Sequence, residues 1–170
     1  GRYAEAIKRM EASPEEWIRL KIQAAPKVFF AAVLHSSLGE TAGARQGFET
    51  ALRLIEAEVR AAPDDGRYHS SLGVAYAGLG RREEAVREGK RGIELLPLSK
   101  DAVYGIPHVI DLAHIYTLLG EPANAVKQLE ILLSRPGWIS AAWLRMDPRW
   151  RPLQGNPHFE ALLAKYKLKP

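Results

Sequence analysis

The feature that most constrains the fold of this chain is a sequence repeat with a spacing of about 40 residues. The residues that recur 40 positions apart are Leu72, Tyr76, Leu79, Gly80, Ala85 and Val86, matched by Leu112, Tyr116, Leu119, Gly120, Ala125 and Val126. A glycine followed five residues later by an alanine occurs at this spacing from Gly1, Gly39, Gly80 and Gly120. Such self-similarity indicates stacked copies of one supersecondary unit.

Each copy is predicted to be a helix, a tight turn, a second helix and a stop. Before Gly80, apolar residues recur at steps of three and four, as on one face of a helix. Gly80 can take the left-handed conformation that ends a helix, and Pro97 stops the helix that follows. Because Gly89 and Gly92 lack side chains, we expect the two helices of the copy to approach closely.

The run "GLGRREEA" at 78–85 also allows another interpretation, a phosphate-binding loop. A dinucleotide fingerprint needs a third glycine after a strand, and a P-loop needs Gly-Lys followed by Ser or Thr. The run has neither feature, and Glu83 and Glu84 can themselves complement the positive N-terminal end of the following helix. The sequence therefore predicts a turn between helices here.

These residues resemble the tetratricopeptide repeat, whose pattern is carried by Leu72-Gly73, Tyr76, Gly80, Ala85 and Pro97. The unit from Leu112 to Pro136 is similar, and a more degenerate unit runs from His35 to Ala51. The resemblance covers about residues 1–136. It implies an all-α fold, a right-handed α-solenoid of antiparallel helix pairs. The longer intervals of this chain predict an extended helix before Pro63 and an added loop before Pro107.

We expect a single domain over 1–170 with a C-terminal cap. Its predicted parts are a partial repeat with a connecting helix at 1–24, repeats at 25–63, 66–99 and 106–136, and a helical cap at 137–170. The abrupt start without an initiator Met predicts a fragment of a longer chain. Asp147-Pro148 and Asn156-Pro157 predict helix starts in the cap. Its tryptophans are expected to cover the end of the solenoid, with stacking on single-stranded nucleic acid as the alternative.

Composition removes several kinds of chemistry. The chain has no cysteine, which excludes disulfides, thiolate nucleophiles and cysteine-based zinc sites. Its net charge of +4 comes from mixed signs, and no apolar run is long enough for a membrane span. His108, Asp111 and His114 lie at steps of three and spread around a helix, so we do not expect them to bind a metal. We predict no enzymatic activity, no cofactor and no catalytic residue.

A candidate binding surface follows from the resemblance, since the first helices of stacked helix pairs line a concave face. The residues assigned to this concave stripe are Phe29, Val33, Ser36, Arg67, Ser70, Val74, Ala77, Ile110, His114 and Thr117. The stripe is made of small and mildly apolar residues, which suits an extended or helical peptide. Members of the family that clamp a C-terminal carboxylate use Lys and Asn here, whereas this chain has Ser70 and Val74, so we do not expect that mode.

The predicted function is a non-catalytic scaffold that binds a protein or peptide in the concave groove. The chain as a whole is similar to the C-terminal tetratricopeptide region of bacterial multidomain regulators, of the Ser/Thr kinase, adenylyl cyclase or winged-helix activator types. This similarity implies an interaction module in signalling, with a cytoplasmic location expected and the periplasm as the alternative. Self-association and nucleic-acid binding are the alternative functions. Nucleic-acid binding is the less favoured of the two, because only Arg67 is basic on the stripe.

Overall fold

The chain is predominantly helical in a computed structural model that describes residues 2–12 and 16–167. The helices are α1 (Arg2–Ala12), α2 (Lys27–Leu38), α3 (Thr41–Ala61), α4 (Gly66–Gly78), α5 (Arg82–Leu95), α6 (Ile106–Leu118), α7 (Pro122–Leu133), α8 (Ala141–Met146), a 3₁₀ helix (Pro148–Leu153) and α9 (Pro157–Lys165). A short antiparallel hairpin joins β1 (Trp17–Arg19) to β2 (Ala24–Pro26). The all-α expectation is confirmed for most of the chain, but the hairpin occupies part of 1–24, where a connecting helix was expected. Residues 1, 13–15 and 168–170, which belong to the predicted first and last segments, lie outside the described residues.

Glycines end the first helices of the repeat units. Gly39, Gly80 and Gly120 have φ angles of 77°, 76° and 70°, in the left-handed region that favours glycine. The amide after each glycine donates a hydrogen bond to the carbonyl five residues before it, as in Arg81 to Tyr76 and Glu121 to Tyr116. This arrangement is the Schellman C-cap. The prediction that Gly80 marks a turn between helices is therefore confirmed.

Helices that follow each other along the chain pack as neighbours. Contacts join α2 to α3, α4 to α5 and α6 to α7, and α4 and α6 also pack on each other. At one close approach of α4 and α5, a Cβ added at Gly73 would lie 2.8 Å from the amide nitrogen of Gly89 and 2.9 Å from the carbonyl oxygen of Ala85. Small residues thus let the backbones of α4 and α5 meet, as predicted from the sequence.

This close approach predicts that Gly73→Ala lowers the free energy of unfolding by about 1–3 kcal/mol, because both backbones must shift to admit a methyl group. Gly43→Ala is the matched control, since it also places alanine within a helix and gains the same helix propensity. The atoms nearest to its new Cβ belong to the imidazole of His35, at 3.1 Å, which is a partly exposed side chain and not backbone. Urea denaturation of both variants checks this, and equal effects would contradict it.

Helix starts in the C-terminal segment lie where the sequence predicts them. The side chain of Asp147 accepts a hydrogen bond from the amide of Arg149, and that of Asn156 accepts from His158 and Phe159. Trp150 is fully buried, whereas Trp138 is 52% exposed. The expectation that all the tryptophans cover the core is wrong for Trp138, which packs edge-on against Trp143 at the surface.

The hairpin lies where the first helix pair, α2 and α3, meets α4 of the second pair. β2 packs against α2, α3 and α4, and the hydroxyl of Ser71 on α4 donates to the carbonyl of Ala24 at 3.1 Å. α2 instead packs against α1, α3, β2 and the 3₁₀ helix. The 3₁₀ helix contacts both α2 and α6, so the C-terminal segment bridges the first and third helix pairs.

Within 2–12 and 16–167, no helix combines the length and apolar character needed to cross a bilayer.

Candidate functional site

Most of the predicted concave stripe is buried inside the fold. Its buried members are Phe29, Ser70, Val74, Ala77, Ile110, His114 and Thr117, and its partly exposed members are Val33, Ser36 and Arg67. α4, which carries the middle of the stripe, lies among α3, α5, α6 and β2. A continuous open groove along the first helices is therefore not what this fold presents to solvent.

The 3₁₀ helix covers the α6 part of the stripe. The ring of Trp150 meets the imidazole of His114 edge-on, with a centroid distance of 6.1 Å. On the other side, Nη1 of Arg151 reaches the carbonyl of Ser37 at the end of α2. The covering segment is thus anchored to both helices that would otherwise face each other across the groove.

A cleft lies between α2, α6 and the C-terminal segment, with a volume of about 590 Å³. It brings together Phe29, Val33 and His114 from the predicted stripe. Its full lining is Met10, Gln23, Phe29, Phe30, Val33, Leu34, Ser37, Asp111, His114, Trp143, Met146, Asp147, Pro148 and Arg149. Met146 is 74% exposed, so one edge of the cleft is open. We take this cleft, named the α2–α6 cleft from here on, as the candidate site.

Asp111 is the unusual group of the α2–α6 cleft. It is the one acidic residue of α6, its side chain is 6% exposed, and it accepts no hydrogen bond from a described residue. Burial raises the pKa of its carboxyl group to about 7, against a smaller opposing influence from the charge of Arg149. The ionised form of an acid in such surroundings is stabilised by any hydrogen-bond donor or cation that reaches it.

The other titratable groups of the cleft are His114 and an Asp147–Arg149 pair. Burial, together with the charge of Arg149, lowers the pKa of His114 to about 3, so its imidazole is neutral at pH 7. Nη2 of Arg149 lies 2.6 Å from Oδ2 of Asp147, and Nε of Arg149 contacts both carboxylate oxygens. Burial acts to raise the pKa of Asp147, but its hydrogen bonds and ion pair with Arg149 outweigh this and lower it.

Arg149 also lies over two indole rings. Its guanidinium carbon lies 5.5 Å from the centroid of Trp143 and 5.6 Å from that of Trp150. These are cation–π distances. Because its guanidinium group is hydrogen-bonded to Asp147 and lies over both indole rings, Arg149 is a fixed part of the wall.

The arrangement of Ser70 and His108 has the elements of a nucleophile and base, but it is enclosed. The hydroxyl of Ser70 and Nδ1 of His108 lie 2.7 Å apart, across α4 and α6. Ser70 is only 1% exposed, so a substrate carbonyl cannot reach its oxygen. Burial lowers the pKa of His108 to about 4, with Asp65 opposing and Arg67 adding to the effect. The pair is a hydrogen bond between helices.

Arg67, the basic member of the concave stripe, is already engaged. Its guanidinium donates to both carboxylate oxygens of Asp65, at 3.0 Å and 2.6 Å, and to the carbonyl of Leu20 at 2.8 Å. It therefore ties α4 to the hairpin. Among the described residues, no three His, Asp or Glu side chains are grouped so as to hold a metal ion.

Sequence reasoning missed most of the polar groups of the α2–α6 cleft. Asp111 is considered above only as a metal ligand that is not expected to bind, and Trp143, Met146, Asp147 and Arg149 fall within the predicted cap at 137–170. One signal was available, since Asp111 is the only acidic residue in the apolar run "IPHVIDLAHIYTL" at 106–118. An acid in such a run predicts a buried carboxylate that needs a partner. The meeting of α6 with the C-terminal segment carries no local sequence signal.

Comparison with known proteins adds no identification. No protein-family model matches the sequence, and no curated protein is similar to it at a significant level. The interpretation of the site therefore rests on the residues and geometry of this chain.

Proposed function

We propose that this chain is a non-catalytic interaction module that binds a protein or peptide in the α2–α6 cleft. The proposal includes a tetratricopeptide-like, right-handed stack of helix pairs closed by a C-terminal cap. Its support is the sequence repeat, the glycine-ended first helices, and the pairing of α4 with α5 and of α6 with α7.

The observation that carries the proposal is the cleft itself. Its volume of about 590 Å³ falls within the range of ligand pockets, and aromatic and aliphatic walls surround a few polar groups. The exposed side chains of Met146 and Trp138 extend the apolar surface beyond the rim, since Trp138 packs on the wall residue Trp143. A peptide can insert one side chain into the cleft while its neighbours cover this rim.

Two observations favour binding of protein over the other functions considered. The Ser70–His108 pair is closed to substrate, which argues against hydrolysis at that place. Arg67 is paired with Asp65, so the basic charge that a nucleic-acid phosphate would need on the stripe is already neutralised. Self-association remains the alternative occupant of the same cleft, a second copy in place of a peptide.

The biological setting we propose is that of an assembly or partner-sensing module in a bacterial signalling protein. Its support is the similarity of the repeats and of the C-terminal "LRMDPRWRPLQGNPHFEALLAKY" to the tails of such regulators. A cytoplasmic location belongs to the same proposal.

Selection from phage-displayed random peptides on the purified chain tests the function. We expect enriched peptides to lose about tenfold or more in affinity, measured by fluorescence anisotropy, when Val33→Trp fills the cleft without adding charge. Val103→Trp is the matched control, because Val103 is exposed in the loop between α5 and α6, outside the cleft lining. Far-UV circular dichroism checks that both variants fold. Failure to enrich any peptide, or equal binding by both variants, would contradict the proposal.

A further inference from the structure

We propose that the α2–α6 cleft is specific for a cationic side chain, an arginine or lysine of the bound peptide, which pairs with the carboxylate of Asp111. This inference rests on the proposed function and names the chemical class of the group that enters the cleft. The juxtaposition that carries it is a buried acid without a hydrogen-bond donor, set in a cavity with aromatic walls.

The first step is that Asp111 faces the cavity without a partner of its own. It lines the cleft, is 6% exposed, and receives no hydrogen bond from a residue within 2–12 or 16–167. A carboxylate that is this little exposed loses most of its hydration, and no donor in the described part of the chain compensates for the loss. A ligand N–H group, above all a charged one, can donate the hydrogen bonds that the carboxylate lost when it was removed from water.

The second step is that the other charges of the cleft cancel. Asp147 and Arg149 form a closed ion pair, and His114 is neutral because burial lowers the pKa of its imidazole to about 3. The α2 wall, Phe29, Phe30, Val33, Leu34 and Ser37, carries no charge. Ionised Asp111 therefore gives the cavity a net negative charge.

The third step is that the walls suit a cation with an apolar stem. Phe29, Phe30 and Trp143 place aromatic rings around the cavity, and ring faces attract ammonium and guanidinium groups. The methylene stems of Arg and Lys can lie along such walls while the charged end reaches the acid. Among the described residues that line the cleft, an anionic ligand could form an ion pair only with Arg149. The guanidinium group of Arg149 is already bonded to Asp147 and lies over two indole rings.

The test uses a pair of probes that differ in charge but scarcely in shape, N-acetyl-arginine methylamide and its citrulline counterpart. Binding to the full chain is followed through the indole N–H resonances of the tryptophans in two-dimensional NMR. We expect the arginine probe to bind at least about tenfold more tightly than the citrulline probe. Asp111→Asn, which keeps the shape of the side chain, should abolish this preference.

The pH dependence provides a second readout. Since the pKa of Asp111 is raised to about 7, the carboxylate is mostly protonated at pH 6 and mostly ionised at pH 8. The affinity for the arginine probe should therefore rise about tenfold between these pH values, and that of the Asp111→Asn variant should not. His114 stays neutral throughout this range and does not contribute.

Equal affinity for the two probes, no binding of the arginine probe up to its solubility limit, or an unchanged preference in Asp111→Asn would each overturn the inference. Tighter binding of N-acetyl-glutamate methylamide would do the same and would point to Arg149. If phage selection yields peptides that Val33→Trp weakens but that contain no basic residue, the inference fails while the proposed function stands.

Discussion

The stability advantage of Asp111→Asn over the wild-type chain should grow by up to about 4 kcal/mol between pH 4 and pH 8. The carboxyl group of Asp111 has an ordinary pKa of 3.8 when unfolded and a pKa raised by burial to about 7 in the native state. Between these values the native state holds one proton more than the unfolded state, so stability falls as pH rises. Each pH unit of this window contributes about 1.4 kcal/mol. Asparagine carries no charge, so the stability of the variant does not fall with rising pH at this position.

Chemical denaturation at pH 4, 6 and 8 measures this difference. The three buried histidines, His69, His108 and His114, are present in both proteins, so comparing wild type with variant isolates Asp111. Asp147→Asn is the control of opposite sign, because its pairing with Arg149 lowers the pKa of Asp147 and its charge therefore stabilises the fold at neutral pH. A constant difference between wild type and Asp111→Asn over this pH range would contradict the assignment of a buried, unpaired acid.

Trp150→Ala should lower the free energy of unfolding by about 3–5 kcal/mol, the range for removing a fully buried aromatic side chain. Trp150 has no exposed surface and packs against His114, so its loss leaves a cavity between the 3₁₀ helix and α6. Its indole N–H has no hydrogen-bond acceptor among the described residues, so truncation removes packing and not a hydrogen bond. Urea denaturation followed by circular dichroism measures the change.

Trp138→Ala is the matched control for this prediction. Trp138 is the more exposed member of an edge-on pair with Trp143, and we expect its truncation to cost less than about 1.5 kcal/mol. The difference between the two variants tests whether the 3₁₀ helix is a structural part of the fold. Equal destabilisation by both substitutions would contradict the burial of Trp150 beneath the C-terminal segment.

The α2–α6 cleft could be predicted from the sequence only in part. Phe29, Val33 and His114 belong to the stripe that the resemblance assigns to a concave face, and all three line the cleft. Asp111 could have been singled out by its apolar neighbours. Trp143, Asp147 and Arg149 could not, because they reach the cleft through the path of the chain after α7, which no local pattern encodes.

The sequence by itself determined the helices, their turns and the close contact of α4 with α5. These features depend on local chemistry: a glycine at a left-handed position, a capping Asp or Asn before proline, and small residues such as Gly73 and Gly89 that let backbones meet. Each of them acts within a few residues or between adjacent helices, which is the range over which sequence periodicity is informative.

Only the tertiary structure decided which face of these helices stays open. The hairpin between β1 and β2 enters beside α4, and the 3₁₀ helix bridges α2 and α6, so most of the stripe is buried, and only Phe29, Val33 and His114 of the stripe line the α2–α6 cleft. Burial in a folded chain depends on all the segments that compete for the same apolar surface. Residues 148–153 and 106–118 are distant in sequence, and their contact creates both the cavity and the unpaired acid within it.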